Sequence, residues 1–245
     1  VATTLEDAQT LILVAPERLT AAYGASTIMD DLYRLAVHTR VEGVVIDVLA
    51  DPAVRGAYEA WDGDLGSIEK GNDVAREIKR LIDQYTVTYP RVRYLVFVGG
   101  DKIVPFYRVA DQSDVEWQER RYARFLPNGT VKGAMAQNYL LTDDFYGDRE
   151  PTVVRSAFWR DGHPLYLPDF ASGRLVERPE EIGETIDAFL AIDGRITIEN
   201  ALVGSTVGDQ FRPGLTADWD AYVCGEMEAA GVVPLCGQGN GEFRD

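Results

Sequence analysis

Five consecutive apolar or aromatic residues, Tyr94-Leu95-Val96-Phe97-Val98, stop at Gly99-Gly100-Asp101, and Pro105 follows. A short run that is apolar at every position predicts a strand covered on both faces, as in the middle of parallel sheets flanked by helices. Its glycine-rich end is then a loop at the carboxyl edge of the sheet, where ligands gather in open α/β folds. The stretch Tyr94 to Arg108 therefore sets the expected fold class and names the face on which to look for chemistry.

The surrounding pattern extends that reading. Thr10 to Ala15 is a second apolar run, stopped by Pro16, and Val44 to Leu49 a third, closed by Ala50-Asp51-Pro52. Between the last two, Ile28, Leu32, Leu35 and Ala36 recur at helical spacing over 27–37, behind Ser26 as a prospective N-cap. Gly56 to Gly71, rich in glycine and acid around Trp61, reads as a loop, and Val74, Ile78, Leu81 and Ile82 give one face of a helix over about 72–85. The order β-α-β-α-β predicts right-handed crossovers and a mainly parallel sheet flanked by helices.

From Asp111 to Gln137 the periodicity fades, with a charged cluster at Glu116 to Arg124 and a turn at Pro127-Asn128-Gly129. Asn128-Gly129-Thr130 matches a glycosylation sequon, and turn chemistry accounts for the Asn-Gly pair equally well. A helix over about 179–192 opens with Glu180 and Glu181, suited to the positive end of its dipole, and buries Ile182, Ile186, Phe189 and Leu190. Composition changes at Asp193-Gly194, and a fresh β-α-β pattern follows: strands at 201–204 and 232–235 around a helix at 217–230. Residues 1–194 thus read as one α/β subdomain and 195–245 as the truncated start of a second, since two strands and a helix bury no core alone.

With 40 acidic against 24 basic residues the formal charge is −16, a balance that phosphate backbones repel, so nucleic acid is not an expected partner. No run approaches the roughly 20 apolar residues of a membrane span. Val1 carries neither an initiator Met nor a basic-then-apolar leader, and the chain is read either as a processed product or as an expressed piece of a longer one. Two cysteines, Cys224 and Cys236, are too few for a disulfide framework.

Three blocks, Gly99-Gly100-Asp101 with Pro105, Thr142-Asp143-Asp144-Phe145-Tyr146-Gly147, and Asp169-Phe170-Ala171-Ser172-Gly173-Arg174-Leu175 leading into Pro179-Glu180-Glu181, resemble in order and spacing the gingipain-like cysteine peptidases. The resemblance covers roughly Thr10 to Leu235 and implies a caspase-like fold of two α/β subdomains side by side. It further implies a secreted or cell-surface endopeptidase whose catalytic His, in a His-Gly motif, and nucleophilic Cys lie late in the second subdomain, beyond Asp245. That chemistry needs a thiolate beside an imidazole, with backbone N–H groups holding the oxyanion. No catalytic residue is therefore expected within this chain, which alone should be inactive. Its partners would be the remainder of its own chain and, through that catalytic half, a peptide or protein substrate.

Within the chain, the fallback dyad is His163 with Cys236, which follows a strand as a nucleophile would. Asp209, Asp218 and Asp220 fall where arginine-specific members carry an acidic residue for the substrate's basic side chain; a carboxylate there would pair with a guanidinium, while Asp218 also suits a helix N-cap. Asp143, Asp144 and Asp148 offer hard oxygen ligands near a turn, and family members bind calcium. The same residues would serve as turn caps without an ion, and no cofactor is required. Two further readings stand beside the peptidase: a non-catalytic interaction or surface-assembly module with the same fold, and a flavodoxin-like nucleotide-binding domain. Gly99-Gly100-Asp101-Lys102 has neither dinucleotide nor P-loop spacing, and Pro105 discourages an immediate helix.

Overall fold

The computed structural model describes residues 7–24, 27–111, 118–154, 163–176, 178–195, 200–203, 223–229, 231, 233–238 and 242–244. The chain divides into two compact units, Val1–Asp193 and Gly194–Asp245.

The first unit is built on a four-stranded parallel sheet of β1 (Thr10–Val14), β2 (Gly43–Asp47), β3 (Tyr94–Val98) and β8 (Ala171–Leu175), in the order β2-β1-β3-β8. The strand buried throughout is β1, whose five residues are all covered; β3 has Tyr94 half-exposed at its start. Both are interior strands. From β1 the chain steps outward to β2, then back across β1 to β3, and right-handed crossovers put the two connections on opposite faces of the sheet. On one side α2 (Ile28–Ala36) packs against α8 (Pro179–Ala191); on the other α3 (Pro52–Asp62) packs against α4 (Ile68–Thr88).

The helices follow from their caps and stripes. Asp51 accepts from the N–H groups of Ala53 and Val54, Pro52 occupies the first helical position, and Val54, Tyr58 and Trp61 are buried one turn apart, so α3 forms where a loop was expected from Gly56 onward. Pro16 likewise opens α1 (Pro16–Tyr23). Ser67 caps α4 through the Lys70 N–H, four residues earlier than the apolar stripe suggests. At α8 the Glu181 carboxylate accepts from the Arg178 N–H, half of a capping box. The expected cap Ser26 lies outside the described residues; α2 starts at Ile28 after Thr27, whose side chain makes no cap.

Between β3 and β8 the chain makes two antiparallel hairpins, β4 (Tyr107–Ala110) with β5 (Tyr139–Thr142), and β6 (Thr152–Val154) with β7 (His163–Leu165). The first carries α5 (Gln118–Tyr122) and α6 (Thr130–Ala136) in its loop, and α7 (Asp144–Gly147) follows it. The second unit pairs β9 (Asn200–Val203) in parallel with β10 (Val233–Gln238), which pairs antiparallel with β11 (Glu242–Arg244); residues 223–229 between β9 and β10 are helical. Among the described residues no helix is long and apolar enough to cross a membrane.

Candidate functional site

The carboxyl edge of the first sheet is where the three sequence blocks meet. Gly99 turns the chain out of β3 with φ at +95°, and a Cβ there would lie 2.7 Å from the Ile103 side chain, so this turn requires glycine. The turn folds Ile103 and Val104 back into the core, where both are buried.

Nearly every carbonyl of the segment is then taken by a side chain from elsewhere. Arg174 of β8 donates to Gly99 O at 3.1 Å and Val104 O at 2.7 Å. Arg18 donates to Lys102 O at 2.8 Å, Tyr58 to Ile103 O at 2.6 Å, Tyr146 to Pro105 O, and Arg108 to Phe106 O. Gly100 O accepts from the Ile103 and Val104 N–H groups. Burial pushes the phenols of Tyr58 and Tyr146 well above the ordinary value of 10, which keeps both as donors.

Two arginine–carboxylate pairs hold this clasp. Asp101 and Arg108 pair at 2.7 Å with both side chains 2% exposed, and the second Asp101 oxygen accepts from the Phe106 N–H at 2.8 Å. Asn72 brackets Arg108, accepting from its N–H and donating to its carbonyl at 2.8 Å each. The Arg108 guanidinium lies 4.9 Å above the Trp61 ring and beside Gly71, where a Cβ would approach it to 3.1 Å. Arg174 binds both oxygens of Asp143 at 2.6 Å and stacks 3.7 Å from the Phe106 ring centroid. Such two-pronged contacts are strong and directional because the guanidinium fork matches a carboxylate.

The remaining block residues complete the same structure. Gly147 O accepts from the N–H groups of Asp169 and Phe170, and the Asp169 carboxylate accepts from the Arg149 N–H. A Cβ on Gly147 would lie 2.9 Å from Phe170 O, so the two segments touch only because that residue is glycine. Buried Asp148 accepts from the N–H groups of Glu150 and Leu167 at 2.7 Å each. Asp144 opens α7, exposed, with its N–H donating to Thr142 Oγ1.

Of the acidic trio, then, Asp143 is committed to Arg174, Asp148 to two backbone amides, and Asp144 faces solvent. Among the described residues no group of three or more His, Cys, Asp or Glu side chains converges on a metal position. Open sheets of this strand order take ligands in the crevice above β1 and β3; here the segment leaving β3 carries the buried Ile103 and Val104, and the Tyr58 hydroxyl donates to Ile103 O. The first turn after β1 offers Ala15 and Pro16, with no glycine and one N–H fewer.

His163 starts β7, its backbone in register with Val154, and Cys236 lies in β10 opposite Val203 and Arg244; their side chains lie outside the described residues. Asp209, Asp218 and Asp220 lie outside them altogether. Cys224, on the helical stretch 223–229, is buried and disulfide-bonded, in a chain whose other cysteine is Cys236. Arg108, Arg174, Asn72 and Tyr58 were not singled out by sequence reasoning. The available signal was a charge at positions 108 and 174, each inside a strand-forming segment, where an unpaired cation is costly. No protein-family model, curated protein or solved structure matches the chain.

Proposed function

We propose that this chain is the non-catalytic first subdomain, with the beginning of the second, of a gingipain-like cysteine endopeptidase of caspase-like fold. The observation that carries the proposal is that all three blocks behind the resemblance converge on one sheet edge, where Asp101, Asp143, Tyr146 and Arg174 are engaged with one another's segments. Side chains so committed act as a scaffold. They hold the carboxyl edge of one sheet rigid, as a subdomain supporting a catalytic neighbour requires, and leave the nucleophile and base to the residues beyond Asp245. A parallel β9–β10 pair after Asp193 supports the start of a second α/β unit. The Cys224 disulfide supports an oxidising, extracellular or cell-surface setting, because such bonds persist there and are rare in reducing compartments.

The test compares this 245-residue chain with the full-length natural protein, using a peptide library and a thiol-directed inhibitor. The full-length protein should hydrolyse peptides and take up one equivalent of inhibitor, and the chain alone should do neither. A full-length protein that cleaves nothing and takes up no inhibitor would instead identify a non-catalytic interaction module.

A further inference from the structure

The strongly acidic chain contains one stretch of opposite character. From Arg120 to Thr142 there are four cations, Arg120, Arg121, Arg124 and Lys132, and no acidic residue. Acidic residues adjoin it at both ends, Glu119 directly before and Asp143 directly after. Folding brings the four cations around one concavity of about 360 Å³, formed by α5, the 3-10 turn Ala123–Phe125 and α6, with Ala123 and Ala136 on its wall.

Among the described residues, most cations elsewhere in the first unit are paired with carboxylates. Arg18, Arg34, Arg40, Arg55, Lys70, Arg76, Lys79, Arg80, Arg91, Arg108 and Arg174 each lie within salt-bridge distance of a carboxylate. Among the described residues Arg121 and Arg124 make no ion pair, and Lys132 donates only to the side-chain oxygen of Asn128, at 3.2 Å. Beside them Phe125 is 82% exposed and Tyr122 56%. Exposed cations next to exposed aromatics form a surface suited to a ligand that is both anionic and apolar.

We propose that this concavity is a docking site for a short acidic peptide segment whose carboxylates alternate with apolar or aromatic side chains. The guanidinium forks of Arg121 and Arg124 match carboxylates in the two-pronged mode this chain already uses at Arg174 and Asp143. Phe125 and Tyr122 supply the apolar contact. A peptide is favoured over a nucleic acid because a long phosphate backbone would run past the patch onto a surface whose chain totals −16. Screening over about 8 Å at physiological ionic strength lets a short ligand feel the patch alone. The site stands apart from the clasp and holds whether or not the peptidase reading does.

The test is fluorescence anisotropy of a short fluorescein-labelled peptide of the repeat Glu-Asp-Phe, titrated with the whole chain at low and physiological salt. Saturable binding that weakens with salt is expected, with a loss of about tenfold or more in the double variant Arg121→Glu/Arg124→Glu, the range for reversed charges at an interface. Lys132→Glu should give a smaller loss in the same direction. Lys70→Glu, which makes the same charge change at a residue paired with Asp64, should leave affinity within about twofold. Both arginines are exposed, so melting temperature should hold in each variant. Absent peptide binding, equal binding by the double variant, or tighter binding of a labelled single-stranded oligonucleotide than of the peptide would each overturn the proposal.

Discussion

Replacing Arg108 by Met is the sharpest probe of the clasp. The substitution removes the donor to Asp101 at 2.7 Å and the donor to Phe106 O, and it leaves a carboxylate with one backbone N–H in a site where both side chains are 2% exposed. Breaking a buried pair from one side costs about 3–5 kcal/mol, because the orphaned charge has neither partner nor water. In a unit of this size each kcal/mol shifts the melting temperature by about 2–4 °C, so a drop of about 10 °C is expected. Asp101→Ala should cost a similar amount by orphaning the guanidinium. The double variant Asp101→Ala/Arg108→Met leaves no buried charge, and its cost should resemble that of either single variant rather than their sum, a coupling of about 2 kcal/mol or more. Urea denaturation of the four proteins, with unchanged slopes, supplies the cycle. An Arg108→Met variant within about 1 kcal/mol of the parent, with additive costs in the double variant, would refute the argument that this pair holds the loop.

Three further outcomes follow from the same geometry. Gly99→Ala, at φ +95° with Ile103 2.7 Å from the added carbon, should destabilise by about 2 kcal/mol or more in thermal melts, whereas Gly133→Ala, within α6 and with open space around it, should be neutral or stabilising. The Asp51 carboxyl is held below its ordinary value of 3.8, first by the Arg80 hydrogen bond and then, against the cost of burial, by the Val54 and Ala53 N–H groups. A depressed folded value gives stability that is present above 3.8 and lost as pH falls through the folded value. Asp51→Ala should therefore cost about 1 kcal/mol at neutral pH, and the difference from the parent should shrink on acidification. Tyr58 and Tyr146 are raised by burial, so their contribution is complete below the ordinary tyrosine value of 10 and lost at higher pH. Their phenolate absorbance should appear only together with loss of the folded circular dichroism signal, and separate ionisation in the folded protein would contradict their burial.

Three of the four strands of the first sheet were legible because their determinants are local, whereas β8, largely exposed and without an apolar run, was not. Apolar runs at 10–14 and 94–98 ended by proline or glycine mark buried strands in any context, and the stripe Ile28, Leu32, Leu35 marks α2. Helix α3 carried its own signals in Asp51-Pro52 and in Val54, Tyr58 and Trp61 at spacings of four and three, but Gly56 and the neighbouring acids favoured a loop. Burial of Tyr58 and Trp61 against the clasp outweighs the cost of about 1 kcal/mol for one glycine. The clasp itself was half legible. Asp101 was visible at the end of a strand and Asp143 in an acidic cluster, but their partners lie 7 and 31 residues away, and distant side-chain pairing has no periodic signature. Asp143 invited a cation, and the sheet supplied one in Arg174.

If the first unit is a scaffold, as proposed, the nucleophile lies beyond it. The most direct measurement is mass spectrometric mapping of a thiol-directed peptide epoxide on the full-length natural protein. A single labelled cysteine beyond Asp245 is expected, with Cys224 and Cys236 unlabelled. A label on Cys236, or none anywhere, would contradict the proposal.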